Sequence, residues 1–188
     1  ICLADNLPVG DGVVVGTIHK LGIDAYQLPV LTTKASIIAI SAPLIMFCNS
    51  ISKLLSDTLP GRQSEGGVKV LLDPTQVIAN LQTRPDLIRR WFYMIGEYAC
   101  SGGPPEGSSA WGAGFEKLQV RADLLYAMEW FVLAHEYGHH VANHARAESS
   151  AAATGTIEEE LSADIFARAV CMRLGHERQP QNFFAMAG

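Results

Sequence analysis

Residues 131–144 read FVLAHEYGHHVANH, with histidines at 135 and 139 and Glu136 directly after the first of them. On an α-helix, residues four apart project from one face, one turn above the other, about 6 Å apart along the axis. Two imidazole nitrogens so placed can converge on one zinc ion, whose bonds to nitrogen are about 2.0–2.1 Å long. Glu136, rotated by one position, falls beside such an ion. A general base must stand there to take a proton from a metal-bound water. Five residues thus encode two ligands and a base. A cation also explains why a helix with apolar Trp130, Phe131, Val132 and Leu133 carries groups that are costly to bury.

A catalytic zinc ion generally has three protein ligands and one open position. A third ligand six residues after His139, with glycine three residues after it, is excluded, because Ala145 and Ala142 occupy those places. His140 lies about 100° round the helix and His144 is also rotated off the ligand face, so both are expected on the surface or behind the ligands. The remaining source is the next helical segment, EEELSADIFA (158–167). Of its three glutamates only Glu160 has an acid one turn on, Asp164, on the same face. Glu160 can then bind zinc while Asp164 accepts the free N–H of a ligand histidine and fixes its tautomer. On this wheel Leu161 and Ile165 are expected to face a core, with Glu158 and Glu159 as solvent-side acids of the first turn.

Two helices must position these groups. The first is expected from Phe115 to about Arg146, with Leu118, Ala122, Leu125, Tyr126, Glu129, Val132 and Leu133 at three- and four-residue steps. The second runs from Ile157 to about Leu174, capped by Thr156 and stopped at Gly175. Upstream, GVVVGTI (12–18), AYQLPVL (25–31), SIIAIS (36–41) and VKVLL (68–72) read as strands, rich in β-branched residues and bounded by Gly or Pro. LIMFCNSISKLLSD after Pro43 has helical spacing, as does the segment from Pro85 to Cys100, where Trp91, Phe92 and Tyr93 are expected in the core. SGGPPEGSSAWGAG (101–114) reads as a loop, either a lid over a cleft or a connector. The fold class is α+β: a small mixed sheet packed on an active-site helix and a following glutamate-bearing helix. One domain over 1–188 is expected, strand-rich in 1–84 and helical in 85–188 with the zinc site.

The chain has 188 residues, 48% hydrophobic and 18% charged, with a net charge of −5; its mean hydropathy is +0.15 and its pI about 5.6. No run of lysine or arginine favours nucleic acid or an anionic membrane as a partner. The apolar run from Ile37 to Leu55 is interrupted by Ser41, Pro43, Asn49, Ser50, Ser52 and Lys53, so it reads as core rather than as a membrane span. Cys2, Cys48, Cys100 and Cys171 are scattered without CxxC spacing, and reduced core thiols are expected. Ile1 is not an initiator, so a processed product or a fragment is expected, with any signal peptide, propeptide or anchor outside it. The compartment is unassigned, the cytoplasm slightly favoured.

VLAHEYGHHVANH followed by EEELSADIFARAVCMRLG resembles the gluzincin metallopeptidases. It is similar to the soluble catalytic core of the HtpX/Ste24-like family, whose pattern is HExxH and then a glutamate ligand within ExxxD on the following helix. Peptidases of the ImmA/IrrE type share this skeleton. The resemblance extends from Phe131 to Phe184 and implies a zincin-like fold. It implies zinc ligands His135, His139 and Glu160, the general base Glu136, and Asp164 behind a ligand histidine. It also implies a strand beside the cleft that holds substrate backbone, for which SIIAIS is the candidate. The chemistry expected is hydrolysis of peptide bonds in a peptide or protein substrate, with a zinc-bound water activated by Glu136. A further donor must stabilise the oxyanion; His176 is nominated, ahead of Arg173 and Tyr126. Two other outcomes stay open: a non-catalytic zinc-stabilised regulatory or binding domain, and a latent protease whose prosegment is missing.

Overall fold

Val13–Ile18 (β1), Ala25–Pro29 (β2) and Ser36–Ser41 (β3) pair into one sheet in the order β1-β3-β2. β1 runs parallel to β3, with Val13 opposite Ser36, and β2 runs antiparallel to it, with Gln27 opposite Ile38. The sheet is therefore mixed and β3 is its centre, where Ile38 and Ala39 are buried. These coordinates are a computed structural model, and it describes residues 12–20, 22–30, 33, 35–64, 67–108, 111, 114, 117–142 and 156–178.

After β3 come Ala42–Thr58 (α1), Gly61–Ser64 (β4), Gly67–Val70 (β5), Pro74–Thr83 (α2), Pro85–Ser101 (α3), Leu118–Ala142 (α4) and Ile157–Arg178 (α5). The architecture is α+β. The chain divides into two compact units. One holds the three-stranded sheet, α4 from Ala127 onward, and α5. The other holds α1 from Pro43, the β4–β5 hairpin, α2, α3, and α4 as far as Tyr126. Among the described residues no helix is long and apolar enough to cross a membrane.

The second unit is built on Leu54, Met94 and Tyr98, with Phe47, Ile51, Trp91 and Trp111 packed against them. Its first helix buries an unusual number of serines, and these satisfy themselves on the turn before: Ser50, Ser52 and Ser56 donate to the carbonyls of Met46, Asn49 and Lys53. The carbonyls at the end of α1 are also met. Lys117 Nζ donates to Ser56 O and Leu59 O, and Asn80 Nδ2 to Asp57 O and Thr58 O. Phe92, expected in the core, is 76% exposed, because α3 turns Leu87, Met94 and Tyr98 inward instead.

The first unit depends on how α4 meets α5. α5 starts at a capping box, Thr156 Oγ1 accepting from Glu159 N–H and the Glu159 carboxylate accepting from Thr156 N–H. Its inward stripe is Ala163, Ala167, Cys171 and Leu174, all buried. Leu161 and Ile165, expected to face a core, are exposed among the described residues; they lie on the opposite side of the wheel from these small residues. Gly175 does not end the helix. It is buried, and α5 continues to Arg178. On α4, Leu118 and Tyr126 are likewise exposed, and Val120, Ala127 and Ala134 are buried at seven-residue steps.

Ala127 and Leu174 share a core cluster with Trp130 and Val170. Eleven residues further along α4, a Cβ on Gly138 would stand 3.2 Å from Ala163 Cα and 3.3 Å from Phe166 Cδ1. The two helices are therefore antiparallel and all but touch at Gly138. A side chain there pushes the helices apart, and overpacking of this kind costs about 1–3 kcal/mol. Gly96, in contrast, is exposed on α3 with open space around it. Gly138→Val is expected to lower the unfolding free energy by roughly 1–3 kcal/mol and Gly96→Ala to raise it by up to about 1 kcal/mol. Urea denaturation of the two variants checks both signs.

Candidate metal centre

The close approach of α4 and α5 brings four predicted residues together. His135 Nε2 lies 3.1 Å from His139 Nε2 and 3.2 Å from Glu160 Oε2, and His139 Nε2 lies 3.6 Å from the same oxygen. His135 Nδ1 is 2.9 Å from Asp164 Oδ1. A carboxylate only accepts, so Nδ1 carries the proton and donates to Asp164, and Nε2 presents its lone pair to His139 and Glu160.

The spacing of these donors tests whether a metal fits. Four bonds of 2.0–2.1 Å in a tetrahedron set neighbouring donor atoms about 3.3 Å apart. The observed edges of 3.1, 3.2 and 3.6 Å match one face of such a tetrahedron. His135, His139 and Glu160 could hold a metal ion. The Glu160 side chain is half exposed, so the group is reached by solvent on that side.

Glu136 stands beside this group, near enough that the charges of His135 and Glu160 both act on it. It is 6% exposed, on the face of α4 that meets the sheet, and the main-chain N–H of Gln27 on β2 faces its carboxylate. Burial pushes its pKa up to about 7; His135 pulls it down, Glu160 and Asp24 push it up, and the Gln27 N–H lowers it again. A carboxyl poised near neutrality is suited to taking and returning a proton. His140, one turn beyond Glu136, is also buried rather than at the surface, and its Nδ1 lies 2.7 Å from Ser36 Oγ on β3.

SIIAIS, expected to hold substrate backbone, is β3, and both of its edges are taken by β1 and β2. The edge near Glu136 belongs to β2. Asp24 and Val30 are bonded to β3 through Ser41 N–H→Asp24 O and Val30 N–H→Ala35 O. By the alternation of an antiparallel ladder, Ala25, Gln27 and Pro29 turn their main-chain groups outward. The Gln27 contact with Glu136 fits that alternation.

His176 is not brought to this group. It is exposed on α5, sixteen residues beyond Glu160, which is about 24 Å along a helix axis. Arg173, donating to Glu177, is nearly as distant, and Tyr126 belongs to the other unit. Cys171 is fully buried, and burial pushes its thiol up to about 11. His144 and the segment up to residue 155 lie outside the described residues, as do Cys2 and the end of the resemblance near Phe184. Gln27 and Ser36 were not singled out by sequence; their only local signal is a polar side chain within an otherwise apolar strand.

Residues 106–187 match the family model described as Peptidase U49. The match covers less than half of the chain and includes α4 and α5. It supports a peptidase function, without selecting the HtpX/Ste24-like or the ImmA/IrrE-type relationship. No curated protein and no solved structure matches the chain.

The raised pKa of Glu136 has a consequence for the metal-free protein. Between its ordinary value of 4.5 and about 7, the unfolded chain has released this proton while the folded chain keeps it. Stability therefore falls as pH rises through that window. The loss is on the order of 3 kcal/mol. Glu136→Gln should flatten this slope in denaturant titrations of the metal-stripped protein at pH 5 and pH 7.5.

Proposed function

We propose that the chain is a zinc-dependent endopeptidase of the gluzincin type, with His135, His139 and Glu160 as metal ligands and Glu136 as general base. The observation that carries this is the triangle of donor atoms with edges of 3.1, 3.2 and 3.6 Å, supported by the family-model match across the same two helices. Two imidazoles and one carboxylate are a donor set suited to zinc, and three ligands leave a position open for reaction.

A zinc ion bound there supplies Lewis acidity, polarising a carbonyl and acidifying water near pH 7. The chain's own groups do the rest. Asp164 holds His135 in the tautomer that keeps Nε2 free as a donor. Glu136 takes a proton from the attacking water and returns it to the leaving amine, work for which a pKa of about 7 is suited. The outward groups of Ala25 and Pro29 on β2 offer an extended peptide an edge to pair with, beside Glu136.

Glu136→Gln should retain one equivalent of zinc and lose at least about 100-fold in turnover of a peptide library. Cleavage retained in this variant contradicts the mechanism. Zinc retained with no cleavage by the unaltered protein would instead favour a zinc-stabilised binding domain. Asp164→Ala should weaken zinc binding by about 10–100-fold in chelator competition.

A further inference from the structure

Glu136 and His140 stand one turn apart on α4, and both side chains are buried against the sheet. Each is tied to it by a separate polar contact, and the two contacts meet at Gln27. Its main-chain N–H, turned outward from the ladder, faces the Glu136 carboxylate. Its side-chain Nε2 donates to Ser36 Oγ, and Ser36 Oγ lies 2.7 Å from His140 Nδ1. A hydroxyl has one proton and accepts two. With Gln27 donating to it, the Ser36 proton is directed to His140 Nδ1.

We propose that His140, Ser36 and Gln27 form a buried positioning relay, which fixes the edge of β2 against α4 and so sets the orientation of the Glu136 carboxylate. It rests on the proposed role of Glu136 as base. In this scheme the Gln27 main-chain N–H is held where it can donate to one carboxylate oxygen, leaving the other with a defined direction. The relay joins groups 9 and 104 residues apart in the chain at two buried side chains, Ser36 and His140. Buried polar groups joined in this way specify one arrangement, because any other leaves one of them unmet. None of the three touches the substrate in this scheme, so they are positioning residues.

Ser36→Ala removes the oxygen that Gln27 and His140 share. Amide hydrogen exchange, which needs no activity, should speed up about tenfold at the Gln27 main-chain N–H. Exchange at Tyr26 and Leu28, bonded to β3, should stay unchanged. Ser36→Thr and His140→Asn keep a hydroxyl and a nitrogen at those places and should preserve the protection; His140→Leu should lose it. In the zinc-loaded protein, Ser36→Ala should lower kcat roughly tenfold with little change in KM and full zinc stoichiometry. If Ser36→Ala does not fold, His140→Leu against His140→Asn carries the same comparison. Unchanged Gln27 exchange in folded Ser36→Ala or His140→Leu overturns the relay, as does a kcat loss that follows loss of zinc. If the unaltered zinc-loaded protein cleaves no peptide, the peptidase reading fails, and Gln27 exchange still decides the relay.

Discussion

Two helices can share a metal only if their axes come close enough for short side chains on each to reach one point. Here that closeness is set where Gly138 meets Ala163 and Phe166. Ala134 and Ala167, both buried, keep the seam narrow between this contact and the one at Ala127 and Leu174. Glycine at 138 is therefore as much a part of the centre as the histidines beside it. It is three residues from His135 and one from His139, and Ala163 is one residue from Asp164. A wider seam would separate the imidazoles of α4 from the carboxylates of α5 without altering any donor.

The same seam divides the motif into two chemical environments. His135 and His139 lean toward Glu160 and Asp164, whose carboxylates are half exposed. Glu136 and His140 are buried on the flank of α4 that meets the sheet, with Glu136 still within electrostatic reach of His135 and Glu160. Solvent-accessible donors on one side suit an ion that must meet a substrate. A buried carboxyl on the other suits a base whose proton affinity is raised by desolvation. One turn of helix serves both sides, because successive residues differ by about 100°.

What the sequence disclosed was what is local or periodic. The step from His135 to His139, and from Glu160 to Asp164, is a property of one helix, and the structure brings these four residues together. The α+β class and strands β1, β2 and β3 followed from β-branched runs. Strand order did not, because nothing within SIIAIS tells whether its edges are paired; that depends on β1 and β2. Leu161 and Ile165 suggested an inward face by residue type, but close packing of α5 favoured Ala163 and Ala167. α2 is capped by Asp73 and opened by Pro74, but the same Asp-Pro pair equally suits the end of the VKVLL strand before it. The β4 strand, Gly-Arg-Gln-Ser, has no apolar signature at all. Gln27 and Ser36 became visible only through contacts with α4 more than a hundred residues away.

The claim on which the rest stands is that one divalent ion is bound by two imidazoles and one carboxylate. Zinc X-ray absorption on the loaded protein reads that shell directly. The account predicts one zinc per chain with two imidazole nitrogens and light oxygen neighbours at about 2.0–2.1 Å, and loss of one oxygen neighbour in Glu160→Ala. A sulfur shell at about 2.3 Å, or a spectrum of hexahydrated zinc unchanged by His135→Ala, would contradict it.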